Sequence, residues 1–213
     1  IVGAAAHLAD ARHHPLGTVG EMLAQPLLEQ RVHLPGQADH DAEGRAGAGL
    51  GRGDQAVGDE LGRTNGLVWL GFVAEQQGDY AAAARHFAEG RAPLAAAGNH
   101  GSAFDGAAGL ARCALASGQI AAADQLGLEI WQYLGEHGSG RMERPALAYL
   151  TCADTFEARH DAPAARAALE AGYQALTDVA GRIENAAWRQ SFLENIPENR
   201  ELARRWQALR GAC

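Results

Sequence analysis

The stretch from Leu67 to Gly90 constrains this chain more than any other. Two helical patterns flank a Gly78-Asp79-Tyr80 turn. Before the turn, Leu67, Leu70, Gly71 and Ala74 recur at i, i+3, i+4 and i+7, the spacing of one helix face. After it, Ala83, Phe87 and Gly90 recur at i, i+4 and i+7. The small residues Gly71 and Ala83 leave room for two backbones to approach, so the stretch reads as an αα-hairpin.

The same arrangement recurs downstream. The spacing predicts hairpins at about 60–77 and 80–97, 102–117 and 120–135, and 144–159 and 162–179. The second turn is Ser117-Gly118-Gln119-Ile120, with Ala107, Leu110, Ala111 and Ala114 before it and Ala123 and Ile130 after. The third is His160-Asp161-Ala162-Pro163, with Tyr149, Cys152, Ala153 and Phe156 before it and Ala165, Leu169 and Gly172 after. Pro163 suits the first turn of a helix. Gly78, Gly118 and His160 lie 40 and then 42 residues apart. The second helices and the linkers Ala97–Gly101 and Gly135–Gly140 are expected to absorb the length.

Composition agrees with helices. Of the 213 residues 47% are hydrophobic, much of that alanine, and only 6% are aromatic. Alanine with few β-branched residues favours close-packed helices over sheet. A net charge of -8 argues against general binding to nucleic acid or anionic membranes through bulk electrostatics. No apolar run approaches the ~20 residues of a membrane span. All 18 basic residues are arginine, which removes every lysine-dependent chemistry, the P-loop and the Schiff base included. Cys113, Cys152 and Cys213 are odd in number and widely spaced, as expected of a reducing cytoplasm and not of a disulfide framework. Cys113 and Cys152 fall in helical patterns and are expected to be buried, and Cys213 to be an exposed thiol.

Residues 1–56 do not share the repeat spacing. Five of the nine histidines, His7, His13, His14, His33 and His40, fall here. A short helix is expected over Val2–Arg12. Another is expected from Val19 to about Val32, with Thr18 and Glu21 as a capping box and Met22, Leu23, Leu27 and Leu28 on one face. Pro26 should kink or break it. Pro35 to Gly53 reads as loop or disorder. Two readings stand for the segment: a diverged or capping helical pair, or a stretch not selected to fold in this frame, such as a frame-shifted or fused piece. The start, Ile1-Val2-Gly3, has neither an initiator Met nor a signal-peptide n-region and reads as a fragment of a longer chain.

At the other end, Ile183–Leu193 predicts one short helix, and Pro197 opens another through Leu209. Trp188, Phe192, Leu193, Ile196, Leu202 and Trp206 are expected to cover the edge of the third hairpin, since a terminal repeat otherwise ends in an apolar face.

Taken together, Leu67, Leu70, Gly71, Gly78, Asp79, Tyr80, Ala83, Phe87 and Gly90 resemble a tetratricopeptide (TPR) repeat. The resemblance covers roughly residues 57–210. The second and third repeats depart from it: Gly127 stands at the usual aromatic position, and His160 replaces the turn glycine. The period also exceeds the ~34 residues of that family. The run Arg189–Arg200 is similar to the C-terminal end of TPR regions in large bacterial signalling and transcriptional regulators, in which an ATPase module and a DNA-binding or cyclase module precede the repeats.

The resemblance implies an all-α fold, an α-solenoid of about three TPR-like helical hairpins with a C-terminal helical cap. It implies a non-enzymatic, cytoplasmic interaction or sensor module of a larger regulator. First helices would line a concave groove for a peptide, an effector or a neighbouring domain. The groove positions carried over are Asn65, Val68, Phe72, Glu75 and Gln76, then Asp105, Ala108, Arg112 and Leu115, then Leu147, Leu150, Asp154 and Glu157. Arg112 among Glu75, Asp154 and Glu157 gives a mildly acidic groove, with Arg112 available to an acidic group on the ligand. A second reading is a purely structural solenoid that packs on its own parent domains.

Sites for chemistry are sparse. Glu136-His137 lacks the partner histidine of H-E-x-x-H, and Gly101-Ser102 lacks the glycines of G-x-S-x-G. Gly51-Arg52-Gly53-Asp54-Gln55-Ala56 loosely fits G-x-G-x-x-A, but no buried strand pattern precedes it. Asp59-Glu60 reads as a helix-start pair. The N-terminal histidines keep a third reading open, a metal-dependent hydrolase, although adjacent His13 and His14 would diverge on a helix. No cofactor, metal or catalytic residue is assigned.

Overall fold

A computed structural model describes residues 53–211 of the chain, with side chains from residue 60. Among these residues the regular elements are all helices: α1 Gly53–Gln76, α2 Tyr80–Ala96, α3 His100–Ala116, α4 Ile120–His137, α5 Pro145–Ala158, α6 Ala162–Gly181, α7 Ala186–Glu194 and α8 Pro197–Gly211. The expected helices over 2–12 and 19–32, the five N-terminal histidines and Cys213 lie outside the described residues, as does the expected loop over 35–53 except Gly53, which begins α1.

The helices form two rows. Neighbours α1, α3, α5 and α8 touch one another in that order. Each of α2, α4 and α6 packs on the inner-row helix before it and the one after it. Close approach along one row and not the other curves a solenoid, so the row α1–α3–α5–α8 is the concave one. The architecture is an all-α, solenoid-like stack of consecutive helix pairs. Among the described residues no helix is long and apolar enough to cross a membrane.

One turn, used four times, creates the repeat. Gly78, Gly98 and Gly118 take φ of 78°, 75° and 72°, and His160 takes 66°. In each case the next residue's N–H reaches back five residues: Asp79 to Ala74 O, Asn99 to Leu94 O, Gln119 to Ala114 O, Asp161 to Phe156 O, at 2.8–3.0 Å. This is the Schellman closure, which satisfies the last carbonyls of a helix. The same residue then begins the next helix. The side chains of Asp79, Asn99 and Asp161 accept from the N–H of Ala82, Ser102 and Ala164. Each such cap contributes about 1 kcal/mol.

This turn corrects the expected linker at Ala97–Gly101. His100 and Gly101 already belong to α3, and only Ala97, Gly98 and Asn99 connect. The forty-residue first interval comes from long helices on both sides of the turn; the forty-two-residue second interval includes a connection, 138–144, that overlaps the expected linker at Gly135–Gly140. The one longer connection runs from Gly138 to Arg144. Helix α1 also starts earlier than expected, so Asp59 and Glu60 sit inside it; Glu60 pairs with Arg63 at 2.5 Å.

Packing rests on knobs set into glycines. Phe87 is fully buried. A Cβ on Gly71 would lie 2.6 Å from its ring, and one on Gly109 2.4 Å. Gly71 therefore admits the Phe87 ring, which is a different role from the backbone approach expected of it. At the next interfaces the shapes invert: Gly127 receives Thr155, and Gly172 receives Tyr149. Cys113 and Cys152 are buried as expected. Burial pushes the Cys113 thiol up to about 12 and raises that of Cys152 too.

Two expectations about apolar faces need correction. Leu70 is 50% exposed, together with Trp69 and Val73. The buried residues of α1 are Thr64, Val68, Gly71, Phe72 and Ala74, a face rotated from the Leu67–Leu70 stripe. Forty residues on, the equivalents Gly109, Leu110 and Cys113 are buried beneath α2 and α4, and so, forty-two further, are Thr151, Cys152 and Thr155. The Trp69–Leu70–Val73 face thus has the register of an inter-hairpin contact but no outer helix on it among the described residues. At the cap, Leu202 and Trp206 are buried and Phe192 and Leu193 half-buried, but Trp188 is 72% exposed and Ile196 lies at the surface.

His160 holds a left-handed backbone that costs a non-glycine residue about 1–2 kcal/mol. His160→Gly should therefore raise the unfolding free energy by about 1 kcal/mol in urea melts. A variant no more stable than the parent would mean that the imidazole makes contacts that offset the strain.

Candidate functional site: the concave face

The concave face is crossed by a ladder of charged side chains, each rung joining neighbouring helices. Glu75 on α1 takes both arms of the Arg112 guanidinium from α3, at 2.6 and 2.7 Å. Arg112 Nη1 donates to Thr151 Oγ1 on α5 at 3.1 Å, and the Thr151 hydroxyl donates to Leu147 O at 2.8 Å. On α8, Arg205 donates to Asp154 at 2.5 Å and to Glu157 at 2.7 Å, back on α5. The four inner helices are therefore linked end to end by hydrogen-bonded ions.

A second set of contacts lies toward the other edge of the row. Arg144, just before α5, donates to Glu198 at the start of α8 at 2.9 Å. Its guanidinium sits 4.7 Å from the centroid of Phe72 on α1, and that of Arg112 lies 5.7 Å away. Phe72 in turn meets the edge of Phe87 at 5.2 Å. A guanidinium over an aromatic face is worth about 0.5–2 kcal/mol, more when dry.

Asp105 has a separate task. It is 2% exposed, and its carboxylate accepts from the N–H groups of Glu143 at 2.8 Å and Arg144 at 3.3 Å. These groups end the long connection and open α5, where Pro145 has no N–H to offer. Asp105 thereby holds the two residues that lead into α5 against α3. Gly101, one turn earlier, leaves room for the same connection: a Cβ there would lie 1.8 Å from Arg141 O. Burial pushes the Asp105 carboxyl up to about 6, against the lowering effect of the two N–H groups. Burial also raises Asp154, with Arg205 opposing it.

The sequence-derived groove residues thus divide. Val68, Phe72, Asp105, Ala108 and Leu150 are buried and hold the inner row together; they do not line an open surface. Glu75, Arg112 and Asp154 face the groove but are committed to internal pairs, so Arg112 is not free for an acidic ligand. Asn65, Leu115 and Leu147 are half-exposed, and Gln76 and Glu157 exposed. Sequence reasoning missed Thr151, Arg144, Glu198 and Arg205. The repeat period gave no signal for Arg144, Glu198 and Arg205, because α8 follows an inserted helix and Arg144 lies in the irregular connection; Thr151 is in register, but its equivalent Gly109 has no polar side chain to suggest a bond there. Among the described residues no group of three or more His, Cys, Asp or Glu side chains is placed to hold a metal ion. Comparison with protein-family models, with curated proteins and with solved structures gave no match.

Two outcomes follow from these contacts. Arg112→Leu leaves Glu75, 14% exposed at its side chain, without its partner, and should cost about 2–3 kcal/mol. Adding Glu75→Leu should recover part of that loss, and a double-mutant coupling below about 0.5 kcal/mol would show that the rung adds nothing. The second concerns pH. Asp105 binds its proton near pH 6 in the fold, but an unperturbed carboxyl does so near 3.8. Stability from this group is therefore greatest below the lower value and falls as pH rises through about 6. Relative to Asp105→Asn, the parent should lose roughly 2–3 kcal/mol between pH 4 and 7 in urea melts. A difference independent of pH would overturn the assignment.

Proposed function

We propose that the chain is a non-enzymatic interaction module whose concave face binds a peptide or a neighbouring domain. The observation that carries this is the surface left once the internal pairs are made. Gln76, Leu115 and Leu147 stay accessible along a row of helices fixed by buried contacts. A rigid groove with apolar positions between polar ones suits an amphipathic helix or an extended segment. Ordering the groove in advance lowers the entropic cost of binding. The TPR-like sequence of the first hairpin, and the likeness of its C-terminal end to bacterial regulators, make a larger signalling or transcriptional regulator in the cytoplasm the context we favour.

A second reading has its own support. Every charged side chain of the ladder already has an internal partner, which suits a structural solenoid that binds nothing in its groove. A displayed library of helical and extended peptides, selected on the immobilised protein, separates the two. Binders at about 1–10 µM are expected. They should weaken about tenfold or more in Leu115→Glu and Leu147→Glu but not in Arg85→Glu on α2. A library without binders, or binders indifferent to Leu115 and Leu147, would leave the structural reading in place.

A further inference from the structure

The helix α7 has no counterpart elsewhere in the array. Helices α3 and α5 each follow the preceding outer helix through a connection without a helix, but α8 is reached through an inserted one. None of α7's residues is fully buried: Phe192 and Leu193 rest half-buried on the core, and the rest of the helix is exposed. It is nevertheless tied down at both ends. Asn185 accepts from Trp188 N–H, and Arg189 donates to Ile183 O and Glu184 O. Asn199 donates to Phe192 O, and Arg200 to Glu194 O. A helix tethered at both ends for so little burial invites the question of what lies beneath it.

Beneath it is a cavity of about 290 Å³ between the start of α5, the outer row and the cap. Its apolar walls include Tyr149, Leu176, Val179, Phe192 and Ile196. Phe192 comes from the inserted helix and Ile196 from the residues that follow it. At the polar side stand Glu143, Arg144 and Glu198. Glu198 occupies the Nε of Arg144, so the remaining charge of this group is the Glu143 carboxylate. The volume lies at the lower edge of the range for small-molecule sites, and an apolar body with a few convergent polar groups is their usual composition.

We propose that this cavity binds a small aromatic molecule that carries a hydrogen-bond donor and no negative charge, with α7 as its roof. Two aromatic walls favour a flat ring through offset or edge contacts. Two carboxylates against one guanidinium favour a donor and disfavour an anion. The cavity shares Arg144 and Glu198 with the edge of the concave face but does not depend on the groove binding anything.

The test uses two probes of one shape, 2-naphthol and 2-naphthoate, titrated calorimetrically into the whole chain. The naphthol should saturate a single site at about 100 µM or tighter, and the naphthoate should bind at least about tenfold more weakly. Ala175→Leu, which adds volume at the cavity wall, should abolish naphthol binding. Val179→Trp on the half-open rim gives a second blocking variant should the first fail to fold. Trp188→Ala, on α7 but not in the lining, and Leu115→Glu, in the groove, should bind as the parent does. Absence of a saturable naphthol site, equal affinity for the two probes, or unchanged binding in folded Ala175→Leu or Val179→Trp would each overturn the proposal.

Discussion

The ring of Phe87, shut between Gly71 and Gly109, is the contact from which much of the rest follows. It sets how closely α1 and α3 approach α2. That spacing places Phe72 edge-on against the same ring and turns its free face toward the concave side, where the guanidiniums of Arg112 and Arg144 reach it. Those two arginines carry the chain of pairs onward: Arg112 joins Glu75 to Thr151, and Arg144 joins the start of α5 to Glu198 on the cap. An apolar knob in the first hairpin thus helps to position charged groups three helices away. The order of dependence matters energetically. A buried aromatic against close-packed neighbours contributes several kcal/mol. A half-buried ion pair mostly selects one arrangement among those that packing already permits.

The later interfaces keep the spacing but exchange the parts. Where α2 offers an aromatic knob to glycines on the inner row, α4 and α6 offer Gly127 and Gly172 as holes to Thr155 and Tyr149. Close packing requires only that one side yield volume where the other supplies it. The glycine at position 127 is the other half of the same fit.

Much of the architecture is legible because it is periodic. Glycine before an aspartate or asparagine, at a helical interval from apolar residues, marks a turn that physics can close in essentially one way. The first hairpin was readable on that basis, the second and third from the same periodicity with Gln119 and His160 as departures, and the cap helices from Pro197 and their apolar residues. The turn at Gly98 carries the same chemistry, yet reading the hairpin as the unit disguises it as a linker. The rotated face of α1 was harder. Leu67 and Leu70 form a good helical stripe, but the buried side is decided by neighbours that supply holes, and Val68 and Phe72 face them. At the concave surface the sequence indicates which positions point inward and not whether a neighbour takes their charge. Arg112 looks available until Glu75 and Thr151 are seen beside it. Arg205 is illegible for another reason: the nine residues of α7 put α8 out of phase with every earlier inner helix.

The two ends of the described array differ in kind. At the C-terminal end α8 turns Leu202 and Trp206 inward and presents Arg200, Arg204 and Gln207 to water. At the other end α1 presents Trp69, Leu70 and Val73. A stack whose ends differ in this way has a direction. An apolar end cannot be matched by a charged one without stranding charge against hydrocarbon, so copies cannot join head to tail into an open filament. Self-association of the described array through its apolar end would be head to head, about a two-fold axis, and would stop at two.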